Sequence, residues 1–164
     1  MEFLTWLEHT EFSVWMRESD WGHPIVLCFH AVGMGLVVGI SFMFSARVLG
    51  YAKSVSLAAF DQLFGLAWFG FAMNAASGIV LLMAEPRRMP VTPAFLIKMI
   101  LIVFAGLSVW ALSRALEGME RVPVGELKVP TGAKVSAVAS IVFWCGAIVA
   151  GRLIGYTIGP PPPV

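Results

Sequence analysis

The chain has 164 residues, of which 59% are hydrophobic and 13% are charged, and its formal net charge is +1. Soluble domains are usually about 45–50% apolar and about 25% charged, so this composition indicates a protein embedded in a lipid bilayer. The small net charge and the lack of a basic run argue against a nucleic-acid partner. Cys28 and Cys145 lie in apolar runs without CxxC spacing, which favours small packed residues over a disulfide, a zinc site or covalent haem.

The first segment of the chain, residues 1–22, is amphipathic. Residues 3–17 (FLTWLEHTEFSVWMR) place apolar and aromatic side chains at roughly helical spacing, with charged residues between them. This pattern predicts a short helix in the membrane interface, with its tryptophans at headgroup level. The segment has no basic start and carries several glutamates, so it is not expected to be a signal peptide.

Four long apolar segments follow, each of about the 20 residues that a helix needs to cross a bilayer. They are predicted as helices over residues 24–46, 61–83, 94–114 and 135–158. Pro24, Asp61 and Thr92-Pro93 are typical of first helical turns. Short polar loops between the segments predict antiparallel neighbours.

The predicted fold is therefore all-α, a four-transmembrane-helix antiparallel bundle with an N-terminal interfacial amphipathic helix. Residues 1–22 would form the interfacial helix and residues 23–159 the bundle. Residues 160–164 (PPPPV) would form a short, stiff polyproline tail.

Lysine and arginine residues set the expected orientation. One side of the bundle carries Arg47, Lys53, Arg114, Arg121, Lys128 and Lys134, and the other carries Arg17, Arg87, Arg88, Lys98 and Arg152. The larger group, the acidic N-terminal segment and the position of Arg152 within its helix favour a cytoplasmic location for the first side. Both termini are then expected outside.

Polar residues of all four spans fall in the outer half of the predicted bundle. At a rise of about 1.5 Å per residue, His30 and Arg152 each lie roughly 9 Å below the outer ends of their helices. A titratable residue inside a span is a candidate functional residue, because its burial in lipid is costly. The candidates for binding a cofactor are His30, Asn74, Ser77, Lys98, Met99, Arg152 and Tyr156.

Two interpretations of this polar group remain open. It could line a cavity or cofactor pocket in the outer leaflet. Alternatively, Asn74 and Ser77 could hydrogen-bond neighbouring helices, while Lys98 and Arg152 extend towards the interface. The guanidinium of Arg152 stays charged and needs an anion or water. Glu85 is the nearest carboxylate by depth, and a haem propionate would serve equally well.

His30 is the candidate metal ligand, as an axial ligand of a b-type haem. His23 is seven residues away on the same helix face and cannot bind the opposite side of one iron. No other span contains a histidine. Met99 or Met73 could supply a thioether, as in His/Met cytochromes, or the sixth position could stay open.

Small residues recur every four positions in the first and last spans. Ala31, Gly35 and Gly39 form one stripe, and Ala147, Gly151, Gly155 and Gly159 form the other. Such stripes let helices approach closely, although they could also make room for a flat macrocycle. If these two helices touch through their stripes, His30 and Arg152 become near neighbours.

Several segments together resemble a family of small four-helix proteins of the bacterial inner membrane, known mainly as a domain of unknown function. They are FSVWMRESDWGHPIVLCFHAVGMGLVVG, FSARVLG, ASGIVLLMAEP, TPAFLIKMILIVFAGL and AGRLIGYT, in the family's order and covering most of the chain. The family's recurring first-helix histidine corresponds to His30. The resemblance implies a multi-pass protein of the bacterial inner membrane.

The chain departs from that family at two points. Ser45-Ala46-Arg47 lacks the acidic residue that members often have before the arginine. Ser113-Arg114 stands where members often end the third helix with a histidine, which disfavours bis-histidine haem. A looser similarity links the chain to copper-resistance-type and b-type cytochrome four-helix membrane proteins, at the level of fold alone.

Three functions remain as hypotheses. The first is a b-type haem or quinone-linked electron-transfer module, with His30 as ligand and Arg152 holding a propionate or quinone oxygen. The second is a cofactor-free scaffold or accessory subunit that packs through its glycine stripes and proline tail against a larger complex. Its partner would be a membrane or periplasmic protein, or a second copy of the chain. The third is a small transporter of copper or an organic solute. A soluble-type enzyme is not expected, because no catalytic triad, phosphate-binding glycine loop or carboxylate pair is present.

Overall fold

The computed structural model describes residues 2–51, 54–117 and 128–157, and within these ranges every regular element is helical. The helices are α1 (Glu2–Glu8), α2 (Glu11–Glu18), α3 (Gly22–Leu49), α4 (Ala59–Ala84), α5 (Pro93–Ala115) and α6 (Thr131–Thr157). The predicted polyproline tail, residues 160–164, lies outside the described residues.

The four predicted spans are confirmed as α3 to α6. Each is long and apolar enough to cross a membrane, so the chain has the architecture of a multi-pass membrane protein. Pro93 occupies the first turn of α5, as expected. Thr92 is its N-cap residue, but its hydroxyl donates to the Arg88 carbonyl at 2.9 Å instead of accepting from the helix. The predicted cap therefore has the right position and a different hydrogen bond.

The N-terminal segment forms two short helices where the sequence predicts one. The side chain of Thr10 accepts a hydrogen bond from the Ser13 backbone N–H at 3.3 Å. This is an N-cap interaction, which starts α2 and ends α1. Arg17 then donates to the carbonyls of Ala84, at 2.9 Å, and Glu8, at 2.8 Å. These bonds hold α1 and α2 against the C-terminal end of α4.

The four long helices do not pack equally against one another. The closest packing is within the pairs α3–α4 and α5–α6, and α3 also packs against α6. By contrast, α4 and α5 hardly touch. The bundle therefore has one open side, between α4 and α5.

The α3–α4 pair is brought together by two glycines. A Cβ atom at Gly33 would lie 2.7 Å from the Gly70 carbonyl oxygen and 2.8 Å from the Asn74 backbone nitrogen. Only hydrogen can occupy that space, so the two backbones are in direct contact. This is the closest helix approach that the described glycines mediate.

The glycine stripes of the sequence have a different role from the one expected. Gly35 and Gly39 are exposed, and a Cβ on either would meet nothing within 4 Å. Gly155 is likewise open, whereas Gly151 packs against Lys98 of α5. Gly159 lies outside the described residues. The described glycines of the two stripes do not meet, so the expectation that α3 and α6 pack closely through Gly35, Gly39 and Gly155 is wrong. Cys28 and Cys145, which were expected to be small packed residues, are exposed.

The two ends of the bundle have different interiors. At the end where α3 finishes, here called the Arg47 end, an apolar cluster forms around Phe44, Val48, Phe60 and Leu112. Arg47 itself is buried, and its Nε donates to the Val55 carbonyl of the α3–α4 loop. At the opposite end, here called the His30 end, the interior is polar.

Candidate functional site

His30 lies at the centre of the polar interior, between α3 and α4. It is 9% exposed, and its Nδ1 is 3.0 Å from the Asn74 carbonyl oxygen and 3.1 Å from Ser77 Oγ. Asn74 returns a bond in the other direction, from its Nδ2 to the His30 carbonyl oxygen at 2.7 Å. The two helices are thus joined by reciprocal hydrogen bonds beside their glycine contact.

These contacts determine which ring nitrogen of His30 carries a proton. A carbonyl oxygen can only accept, so Nδ1 must be protonated to bond Asn74. Ser77 donates its own hydroxyl to the Met73 carbonyl at 2.7 Å, which leaves its oxygen free to accept from Nδ1 as well. In the neutral ring Nε2 then carries a lone pair, and this atom faces α5.

Lys98 of α5 faces the lone pair of His30 Nε2. Its Nζ lies 3.2 Å from His30 Nε2, a distance at which an ammonium donates to an imidazole nitrogen. A Cβ at Gly151 of α6 would lie 3.4 Å from Lys98 Nζ, so this glycine makes room for the lysine. Residues of α3, α4, α5 and α6 therefore all meet at one cluster, composed of His30, Asn74, Ser77, Lys98 and Gly151.

Lys98 lacks a carboxylate partner in the described part of the chain. The ion pairs found there join Arg87 to Glu8, Arg88 to Glu85 and Arg114 to Glu117. A lysine charge inside a membrane span is costly unless another group compensates it. The imidazole supplies one acceptor but no negative charge, so the cluster remains electropositive.

Arg152 lies on α6 beside the cluster in sequence, but no hydrogen bond or ion pair joins it to His30 or Lys98. It follows Gly151 on α6, is exposed, and places its guanidinium carbon 5.7 Å from the ring centre of Tyr156. Glu85, the carboxylate nearest to it in predicted depth, lies 3.6 Å from Arg88 instead. Lys98 and Arg152 thus present two cations on neighbouring helices, and neither has an anion among the described residues.

Two predicted candidates, Met99 and Tyr156, have exposed side chains, and no hydrogen bond joins either of them to His30. Met99 is 45% exposed, and its neighbour Lys98 reaches the imidazole instead. His23 is exposed at the start of α3. Met34, one turn below His30 on α3, lines a cavity of about 20 Å³ together with Asn74, Lys98 and Trp144. That volume is about the size of a single water molecule.

Haem does not fit the site with its side chains in these positions. An axial histidine gives its lone pair to iron, but Lys98 already faces the Nε2 of His30. The adjoining cavity of about 20 Å³ is far below the several hundred Å³ that a cofactor needs. Haem ligation by His30 therefore stays a prediction that would require Lys98 and the α4–α5 gap to rearrange. Among the described residues, no three His, Cys, Asp or Glu side chains cluster as a metal site.

Three glycines contribute to the site without being identified from the sequence. Gly33 and Gly70 set the α3–α4 distance, and a Cβ at Gly78 would lie 3.3 Å from His30 Cε1. Gly70, Asn74 and Gly78 are spaced by four residues, which places them on one face of α4. That spacing is the signal by which they could have been found.

In comparisons with known proteins, no family model, no curated protein and no solved structure matches the chain.

Proposed function

We propose that the chain is a membrane subunit that binds the headgroup of a quinone at the His30–Lys98 cluster and serves an electron-transfer system. The observation that carries this proposal is the Lys98 Nζ–His30 Nε2 contact of 3.2 Å inside the bundle. The Lys98 ammonium supplies hydrogen-bond donors to a carbonyl oxygen, and the His30 imidazole orients it by accepting one of its protons. The ammonium also supplies a proton when that oxygen becomes negatively charged.

The charges around the cluster support a ligand of this class. Lys98 and Arg152 are two cations without an anion among the described residues. A reduced quinone oxygen carries the negative charge that such a site stabilises, and its apolar tail is compatible with the lipid. The headgroup would lie in the open side between α4 and α5, beside Lys98, because the cavity of about 20 Å³ is too small to hold it.

The chain's own residues would bind and orient the headgroup and move a proton at its oxygen. Electrons would come from a partner in the same membrane, so the chain acts as a binding subunit and not as an independent enzyme. We place it in the bacterial inner membrane with both termini outside, in line with the Lys/Arg distribution of its loops.

The test measures quinone in the purified protein. Wild-type protein in mild detergent is extracted with organic solvent, and quinone per protein is compared with Lys98→Met and Lys134→Met. Lys134 is an exposed lysine near the start of α6, at the opposite end of the bundle, and serves as the matched control. We expect quinone in the wild type and the control and at least a tenfold loss in Lys98→Met, about 1.4 kcal/mol of binding. Equal quinone in all three proteins, or none in any, would refute the proposal.

The same sample tests the haem hypothesis. Its visible spectrum is recorded oxidised and then after dithionite. A Soret band and a split α-band that disappear in His30→Ala would establish haem bound through that residue. A flat spectrum from folded protein that was expressed with ample haem would exclude it.

A scaffold is the second candidate, and one observation favours it. Ala31, Gly35 and Gly39 form an exposed stripe on α3 with open space in front of both glycines. Small residues spaced by four are the surface on which membrane helices associate. Chemical crosslinking of wild type and Gly35→Leu in native membranes tests this role. A crosslinked partner or second copy that Gly35→Leu abolishes would support it, and an unchanged pattern would contradict it.

A further inference from the structure

A second cavity lies at the Arg47 end, far from His30. It has a volume of about 370 Å³ and opens between α4 and α5, where these helices hardly touch. Phe44, Leu57, Phe64 and Leu116 form its apolar floor. The volume falls within the range of small-molecule sites. We call this cavity the inner groove.

The rim of the inner groove is charged. Asp61 lies in the first turn of α4 and Arg114 in the last turn of α5, so both lie at the ends of their helices. Glu117 completes the rim. Helix ends are the levels at which a spanning bundle meets lipid headgroups. The groove is therefore apolar below and charged at the headgroup level.

The rim charges define the complementary headgroup. Asp61 has neither an ion pair nor a side-chain hydrogen bond among the described residues. Arg114 pairs with Glu117 at 3.0 Å, but these side chains are 63% and 67% exposed, so the pair is weak and exchangeable. One free carboxylate beside one exchangeable guanidinium fits a ligand that carries an ammonium and a phosphate.

Trp110 strengthens the assignment of this rim to the interface. The guanidinium carbon of Arg114 lies 5.7 Å from its ring centre, so the ring supports the arginine from below. Tryptophans are enriched at the headgroup level of membranes. A phosphate bound to Arg114 would thus lie directly above an interfacial tryptophan.

We propose that the inner groove binds a phospholipid with a primary-amine headgroup, as in phosphatidylethanolamine. The ammonium pairs with Asp61, the phosphate pairs with Arg114, and one acyl chain lies on Phe44 and Phe64 between α4 and α5. The rim of Asp61, Arg114 and Glu117 has a net charge of −1, which favours this zwitterion over an anionic lipid such as phosphatidylglycerol. The site is independent of the quinone site.

Native mass spectrometry of the full-length protein tests the assignment. Protein is presented with equal amounts of phosphatidylethanolamine, phosphatidylcholine and phosphatidylglycerol with identical acyl chains. We expect the first lipid to be retained about fivefold better than the others, the ratio for an interfacial ion pair of about 1 kcal/mol. Phosphatidylcholine measures how much the ammonium contributes to retention, because its methylated nitrogen cannot donate a hydrogen bond.

Two variants locate the lipid. Asp61→Asn keeps the size of the side chain and should abolish the preference for phosphatidylethanolamine, whereas Asp20→Asn, an exposed aspartate at the other end, should keep it. A photoactivatable phosphatidylethanolamine should label peptides that contain Phe64 or Trp110. Equal retention of the three lipids, an unchanged preference in Asp61→Asn, or labelling restricted to residues 118–127 would each overturn the proposal.

Discussion

The two closest helix pairs of the bundle are held together in different ways. In α3–α4 the backbones touch at Gly33 and Gly70, and His30 and Asn74 exchange hydrogen bonds beside that contact. In α5–α6 the contacts are made by side chains, with Leu101 against Gly146 and the rings of Phe104 and Phe143 5.4 Å apart. We therefore expect the first pair to be rigid and directional, and the second to be apolar and adaptable.

This difference shows which contacts determine how the helices of a membrane protein are arranged. Lipid tails are as apolar as leucine, so side-chain packing alone gives little preference for one helix rotation over another. Reciprocal hydrogen bonds allow a single arrangement of α3 against α4. The Lys98–His30 contact then fixes the α5–α6 pair relative to the first pair. The candidate site and the register of the bundle therefore depend on the same atoms.

The largest effect should come from filling the glycine contact. In Gly33→Ala the new methyl group would lie 2.7 Å from the Gly70 carbonyl oxygen, and backbone cannot move aside cheaply. We expect a loss of about 1–3 kcal/mol in the free energy of unfolding. Unfolding in mixed micelles with increasing dodecyl sulfate measures it.

Gly35→Ala is the matched control for this change. It lies on the same helix with nothing within 4 Å of its Cβ position, so its unfolding free energy should change by less than about 0.5 kcal/mol. If both variants unfold alike, α3 and α4 do not touch through Gly33, and the comparison of the two helix pairs fails.

A smaller loss should follow removal of the amide that joins α3 to α4. Asn74→Leu deletes the bond from Nδ2 to the His30 carbonyl, which is 2.7 Å long, while the side chain keeps its approximate size. Hydrogen bonds between membrane helices contribute about 1 kcal/mol, which is the expected loss in unfolding free energy. Ser108→Ala is the control, because that hydroxyl bonds only within its own helix, to Phe104. An Asn74 variant as stable as the control would show that the amide does not join the helices.

The sequence contained most of the fold and part of the site, for a physical reason. Hydrophobic length translates directly into membrane spans, so α3 to α6 were predicted with ends shifted by only a few residues. Depth along a helix is also simple arithmetic. It placed His30, Asn74, Ser77 and Lys98 in the outer half of the bundle, and the structure brings these four together.

Direction around a helix is what the sequence left open. Lys98 and Met99 have almost the same depth but point about 100° apart, so depth alone could not show which one reaches His30. The small-residue stripe of α3 has the same spacing whether it faces lipid or a neighbour. The contact glycine Gly33 lies two positions before Gly35, on another face. Pairing of helices requires the partner's surface, which a single span does not contain.

A weaker effect is expected at Gly146, the glycine of α6 that packs against Leu101 of α5. In Gly146→Ala the methyl group would lie 3.1 Å from Leu101 Cδ1, which is the flexible end of a side chain. Alanine also favours helix over glycine by about 0.5–1 kcal/mol, which offsets the crowding. The unfolding free energy should therefore change by less than about 1 kcal/mol in the same mixed-micelle assay. A loss as large as that of Gly33→Ala would mean that α5–α6 is as rigid as α3–α4.

The smallest effect should come from a buried serine of α6. Its substitution should be the only one that does not lower the free energy of unfolding. Ser140 is 0% exposed, and its hydroxyl has no hydrogen-bond partner within the described ranges. Ser41 of α3, by contrast, donates to the Val37 carbonyl at 2.7 Å. Because an unpaired buried hydroxyl costs free energy, Ser140→Ala should leave the protein equally stable or up to about 1 kcal/mol more stable.

Ser41→Ala should instead lower the free energy of unfolding by about 0.5 kcal/mol, because it removes a hydroxyl that is paired. Both substitutions delete one oxygen from a buried helix face, so the difference between their unfolding free energies isolates the hydrogen bond. Destabilisation by Ser140→Ala would show that its hydroxyl is paired in the membrane.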